Sequence, residues 1–236
     1  MLIFFTSNEV AKNNTLMKAA VIADPIEVSD HLSKLGFTKD QLLEVVHAAV
    51  SARNGCTLND PPGSAGWSSW QQGTRRLREI GIQMGMERDD TEQIACVYNA
   101  KCNVKIAVAN TDDGTGIPDR QPLNRSKKGS ATDRLIQSNQ GTFVDILDQA
   151  MNVISLLGPQ EDKSVLWYLC IYAEGDLVRA ELSCPTLSEG GYFKEFSERI
   201  IIVGPDDHDD YVKRRFSDDD GGAGEEFDIS VTRKLS

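Results

Sequence analysis

The stretch from Val165 to Cys184 constrains the fold more than any other, because two strand-like arms meet at a Gly175-Asp176 turn and obey different burial rules. The first arm is apolar at every position from Val165 to Ala173, the pattern of a strand covered on both faces. The second alternates Val178, Ala180 and Leu182 with Arg179, Glu181 and Ser183. A two-residue loop at Glu174-Gly175 or at Gly175-Asp176 gives the same parity, with Tyr168, Cys170 and Tyr172 on one face with Arg179, Glu181 and Ser183. The hairpin therefore has one oily face and one mixed face. The mixed face is expected either to form a polar-edged core under a helix or to grip a small ligand, with Tyr168, Tyr172, Arg179 and Glu181 as its candidate binding residues.

The rest of the chain supplies the covering layers. Asp24 caps and Pro25 opens a short helix that stops at Gly36, and Thr38 caps a second helix running to about Asn54. A breaker-rich loop, Thr57 to Gly66, precedes a third helical pattern from Trp67 to Ile80. His31 and His47 lie in the helical hairpin and are assigned no chemistry. A first β-hairpin is expected from Gln93–Tyr98 and Asn103–Asn110. A long polar loop, 111–129, follows, and a helix then starts at Ser130 or Thr132, breaks near Ser138 to Gly141, and continues to Leu157. Beyond the second hairpin the pattern predicts a short helix from Tyr192 to Arg199, a strand from Ile200 to Val203, and a last strand from Phe227 to Thr232. Together these give an α+β fold: a helical N-terminal subregion, 24–80, followed by a mainly antiparallel sheet of two hairpins plus one or two further strands, covered by helices. Residues 17–236 are read as a single domain, with a mobile acidic segment at 204–226, and residues 1–16 as an extension or an edge strand.

At 236 residues and 40% hydrophobic content the chain can bury a core without staples. Its five cysteines are an odd number without metal-binding spacing, and only three histidines accompany them, so neither a disulfide framework nor a structural metal is expected, and a reducing cytoplasm fits. The apolar opening MLIFF lacks a basic lead-in and makes a poor signal peptide, and no stretch is long enough to span a membrane.

The formal charge of −11 is unevenly distributed. From Gly204 to Asp228 ten acids oppose three bases, whereas between Ala65 and Gln140 eleven bases oppose nine acids. The basic middle is where nucleic acid would meet the protein, through residues 65–140, and Arg125, Lys127 and Lys128 in the long loop are its candidate phosphate contacts. The acidic stretch either keeps the chain soluble or mimics a polyanion over that middle.

A catalytic alternative rests on Asp89, Asp90, Lys105, Asp112 and Asp113. Asp89 and Asp90 followed by Asn103-Val104-Lys105 is similar to the PD-(D/E)xK nuclease pattern, which would imply a metal-dependent phosphodiesterase using Mg2+. The chain departs from that pattern at Asn103, which stands where the second carboxylate belongs, and lacks the proline before the acidic pair. The turn Asp112 to Gly116 offers backbone N–H groups to a phosphate but lacks the setting of a P-loop. With no coherent catalytic set, the leading expectation is a non-enzymatic accessory or interaction subunit of a larger cytoplasmic assembly, with a protein partner, no cofactor and no membrane contact. The alternatives are a metal-dependent nuclease or nucleic-acid-binding protein, and a small-ligand sensor using the mixed face of the 165–184 hairpin.

Overall fold

A computed structural model describes residues 19–149 and 164–207, with only the helical backbone given for 140–149. The expected N-terminal extension, the continuation of the fourth helix to Leu157, the acidic run beyond Asp207 and the strand at 227–232 lie outside the described residues. Among the described residues no helix is long and apolar enough to cross a membrane.

The fold is α+β, with four α-helices and one seven-stranded, mostly antiparallel sheet among the described residues. Strands β2 (Glu87–Asp89), β3 (Cys96–Asn99) and β4 (Val104–Asn110) form one meander. Strands β5 (Val165–Glu174), β6 (Leu177–Glu189) and β7 (Tyr192–Val203) form another. Parallel pairing of β4 with β5 joins the two, and the three-residue strand β1 (Ala20–Ile22) runs parallel to β7 at the far edge. The brevity of β1 and β2 hides them from pattern reading, since three residues define no period.

Helices α1 (Pro25–Leu35) and α2 (Lys39–Asn54) begin and end where their caps predict, while α3 (Ser64–Gln83), which has no side-chain cap, extends beyond the expected Trp67–Ile80 at both ends. The Asp24 carboxylate accepts from the amides of Ile26 and Glu27, and Thr38 and Gln41 form a reciprocal capping box. These helices cover the oily face, where Leu42, Val46 and Leu77 meet Ile106, Leu169, Leu182 and Ile200. Helix α4 (Ser130–Gln149) covers the mixed face and crosses 138–141 without the expected break. It is fixed by Asn139, whose buried amide donates to the carbonyls of Leu166 and Pro185 and accepts from the Leu166 amide.

Tyr192 to Arg199 is strand, not helix. Phe193 and Phe196 are three apart, a helical interval, yet both belong to the core under α4. Register shifts explain this: Phe193 opposes Ser188, Glu195 opposes Leu187 and Phe196 opposes Pro185, so an extra residue on β7 is followed at once by one on β6, and these bulges break the alternation and return the second ring to the first one's face. A bulged strand thus imitates a helical pattern.

The β5–β6 register pairs Tyr168 with Ser183, Cys170 with Glu181 and Tyr172 with Arg179 around a Gly175-Asp176 turn. The mixed face exists, but most of it is closed. The segment 114–118 lies over Glu181, which accepts from the Gly116 amide (2.7 Å), the Ser183 hydroxyl (2.6 Å) and the Arg199 guanidinium.

Candidate functional site

A cavity of about 700 Å³ sits at the outer edge of β4. Strand β3 reaches only to Cys96, opposite Ala107. Further along the same edge the long loop returns to β4: Asn124 bridges Thr111, and the Arg125 amide donates to the Asn110 carbonyl (2.9 Å). The cavity occupies the interval between these two pairings, where Ala107, Val108 and Asn110 line it. It is closed on one side by the start of α3 and on the other by residues 125–129 and the first turn of α4.

Each wall is held by named contacts. Asn110 ties α3 to the end of β4, its amide nitrogen donating to the Gly66 carbonyl (2.7 Å) and its oxygen accepting from the Ser69 hydroxyl (3.0 Å). That sets the position of Trp67 and Trp70, whose ring centroids are 5.0 Å apart. Opposite, Asn124 is buried and donates to the carbonyls of Ser126 (2.7 Å) and Gly191 (2.9 Å) while accepting from the Phe193 amide (2.8 Å). The Lys128 amide donates to the Gly191 carbonyl (2.9 Å), so the tip of the β6–β7 hairpin clamps the basic segment. Gly191 has φ +84°, and a Cβ there would come within 2.4 Å of the Lys128 carbonyl oxygen.

The lining carries four cations, Arg53, Arg125, Lys127 and Lys128, and no carboxylate. Elsewhere in the basic middle the arginines are paired, Arg75 and Arg76 with Glu79, Arg78 and Arg88 with Asp90, Arg120 with Asp113 and Arg134 with Glu92, and Lys101 is an exposed lysine away from the cavity. Among the described residues Arg53, Lys127 and Lys128 have no carboxylate within ion-pair distance, and Arg125 is 3.8 Å from Glu174. The Lys128 ammonium stands 5.3 Å from the centroid of the Tyr168 ring, and burial pushes its pKa below the ordinary lysine value. Uncompensated positive charge is therefore concentrated where there is also space.

The sequence-predicted residues divide accordingly. Arg125, Lys127, Lys128 and Tyr168 line the cavity. Tyr172 and Arg179 lie apart from it, with the Arg179 guanidinium 4.7 Å from the Tyr172 ring centroid and its buried Nε without a hydrogen-bond partner. Glu181 is spoken for by Arg199, not by Arg179. Arg53, Trp67 and Trp70 went unrecognised as site residues, although two tryptophans three apart among Ser, Gln and Gly were a visible signal.

Of the catalytic candidates Asp89 and Lys105 meet, while Asp90, Asp112 and Asp113 are bonded to other groups. Asp89 pairs with Lys105 at 2.8 Å, with the two side chains 16% and 6% exposed. Burial pushes the Asp89 carboxyl up, but hydrogen bonds from Lys105 and Thr91 outweigh it and hold the pKa below the usual value. Asp90 is turned to Arg78, and Asp113 makes two bonds to Arg120. Asp112 accepts from the amides of Gly114 and Leu123, and with the Gly116 amide given to Glu181 the Asp112–Gly116 turn points its donors inward. Among the described residues no group of three or more His, Cys, Asp or Glu side chains is disposed to hold a metal ion. Comparison with protein-family models, curated proteins and solved structures finds no match to the chain.

Proposed function

We propose that this chain is a binding protein whose sheet-edge cavity takes a polyanionic, phosphate-bearing ligand. The observation that carries the reading is the gathering of Arg53, Arg125, Lys127 and Lys128 around about 700 Å³ of space without a lining acid. Like charges brought together in a partly desolvated site repel one another and lose hydration, a cost that a multiply charged anion removes. Arginine forks and lysine point charges suit phosphate oxygens, and the first turn of α4 adds a favourable dipole. The volume falls in the range of small-molecule sites. Binding is favoured over hydrolysis by the engagement of Asp89, Asp90, Asp112 and Asp113 in other bonds. In this reading the protein is an accessory, ligand-reading subunit, and the candidate nucleic-acid contacts Arg125, Lys127 and Lys128 belong to one site.

Calorimetric titration with inorganic tripolyphosphate tests it. Saturable binding is expected, weakening as salt rises, with a loss of about tenfold or more in the Lys127→Ala, Lys128→Ala double variant. Lys101→Ala, removing an exposed lysine that does not line the cavity, serves as the control. Absence of saturable binding, or equal loss in the control, sinks the reading.

A further inference from the structure

We infer that the ligand is a nucleotide unit, with Trp67 as the platform on which its base stacks. The inference rests on the phosphate-binding reading of the same cavity and adds its aromatic half. Trp67 is 61% exposed, on a helix whose core-facing positions are filled by Leu77 and Ile80. Core packing therefore leaves the indole without a partner on much of its surface. It leans on Trp70, which is partly buried against the core, with ring planes inclined at 43°, so the pair forms a braced aromatic wall at the mouth of the cavity. Tyr168 stands deeper, beneath the Lys128 ammonium. Anionic and aromatic recognition thus meet in one space: four cations for phosphate and an under-used indole face for a planar ring.

A base is the planar group that commonly travels with phosphate, and stacking on an exposed tryptophan is tolerant of base identity. The basic segment 125–129 lies across the cavity from the tryptophans, so a nucleotide would span from indole to ammonium. The chemistry is shared by a free nucleotide and by a residue in a single strand. A duplex would keep its bases stacked on one another and offer Trp67 none.

The test compares ATP, inorganic tripolyphosphate and a ten-residue oligothymidylate against the full chain by calorimetry and tryptophan fluorescence. ATP and tripolyphosphate carry similar charge and differ in the nucleoside. ATP is expected to bind about tenfold tighter than tripolyphosphate and to quench fluorescence. In Trp67→Ala the ratio of the two affinities should fall to near one, and Trp67→Phe, which keeps a ring, should restore most of it. Tighter binding of the oligothymidylate than of ATP identifies a single strand as the source of the nucleotide, and the reverse order identifies a free nucleotide. Equal affinity of wild type for ATP and tripolyphosphate, or an unchanged ratio in Trp67→Ala, overturns the base platform while leaving the anion site standing. Failure of all three probes to bind overturns both.

Discussion

Glu181 on β6 and Arg199 on β7 form a two-pronged ion pair within the sheet, with Nε and Nη2 of the arginine 2.8 and 2.6 Å from the carboxylate oxygens and the side chains 0% and 1% exposed. Apart from the Ser183 hydroxyl that Glu181 also accepts, the remaining capacity of both groups is spent on the long loop. Glu181 takes the Gly116 amide, and Arg199 donates to the Ile117 carbonyl at 3.1 Å. The pair therefore pins 116–117 to the sheet, and what the sequence presents as a free polar face becomes a fastening.

Removing one partner should be far worse than removing both. Glu181→Gln leaves the Arg199 charge buried and poorly compensated, and a loss of about 3–5 kcal/mol is expected in urea denaturation. Glu181→Leu with Arg199→Met should recover a large part of that stability, because neither charge is then desolvated. A double variant as unstable as the single one would show that the pair acts mainly through its loop contacts.

Asn124 holds the cavity's basic wall without lining the cavity. Replacing it with Ala takes this partner from the Ser126 carbonyl and the Phe193 amide and one of two bonds from the Gly191 carbonyl, at an expected cost of about 1–3 kcal/mol. Tripolyphosphate affinity should fall several-fold at temperatures where the variant is still folded. Gly191→Ala should act in the same direction through strain against the Lys128 backbone. Unchanged affinity in a folded Asn124→Ala protein would separate the clamp from the site.

Lys128 predicts the pH dependence. Burial lowers its pKa from the ordinary 10.5, and a bound anion favours the charged form and raises it again. Binding therefore takes up protons between the two values: affinity is fullest below the depressed pKa and declines as pH rises through it. For folding the sign is opposite, since the unfolded chain keeps this proton to about pH 10.5 and stability from this group increases with pH across the window. Affinity measured from about pH 7 to about pH 10 should fall in wild type and flatten in Lys128→Met. A wild-type profile that matches the variant would remove Lys128 from the site.

Local signals account for much of what could be read in advance. Caps placed the ends of α1 and α2 because a helix terminus is satisfied by its immediate neighbours, as Asp24 and Thr38 show. Alternation placed Tyr168, Tyr172, Arg179 and Glu181 on one side because strand parity is a two-residue rule. The helix expected at 192–199 failed because the bulges that bring Phe193 and Phe196 to one face are visible only against the partner strand.

The candidate site divides along the same line. Lys127 and Lys128 stood out as a charged loop, but charge in sequence does not say which cations find carboxylates. That was decided by chain segments meeting from far apart: Arg76 reaches Glu44, Arg134 reaches Glu92 and Arg199 reaches Glu181. Arg53 from the end of α2, Trp67 from α3 and Lys128 from the loop share a cavity only because β3 stops short along β4 and Asn124 anchors the loop beyond it. The sequence by itself determined the capped helices, the two-faced hairpin and the charged loop at 125–128, since each depends on residues close along the chain. The tertiary structure decided which polar face closed and which edge opened, because pairing of buried charge and the extent of a strand are settled by neighbours distant in sequence.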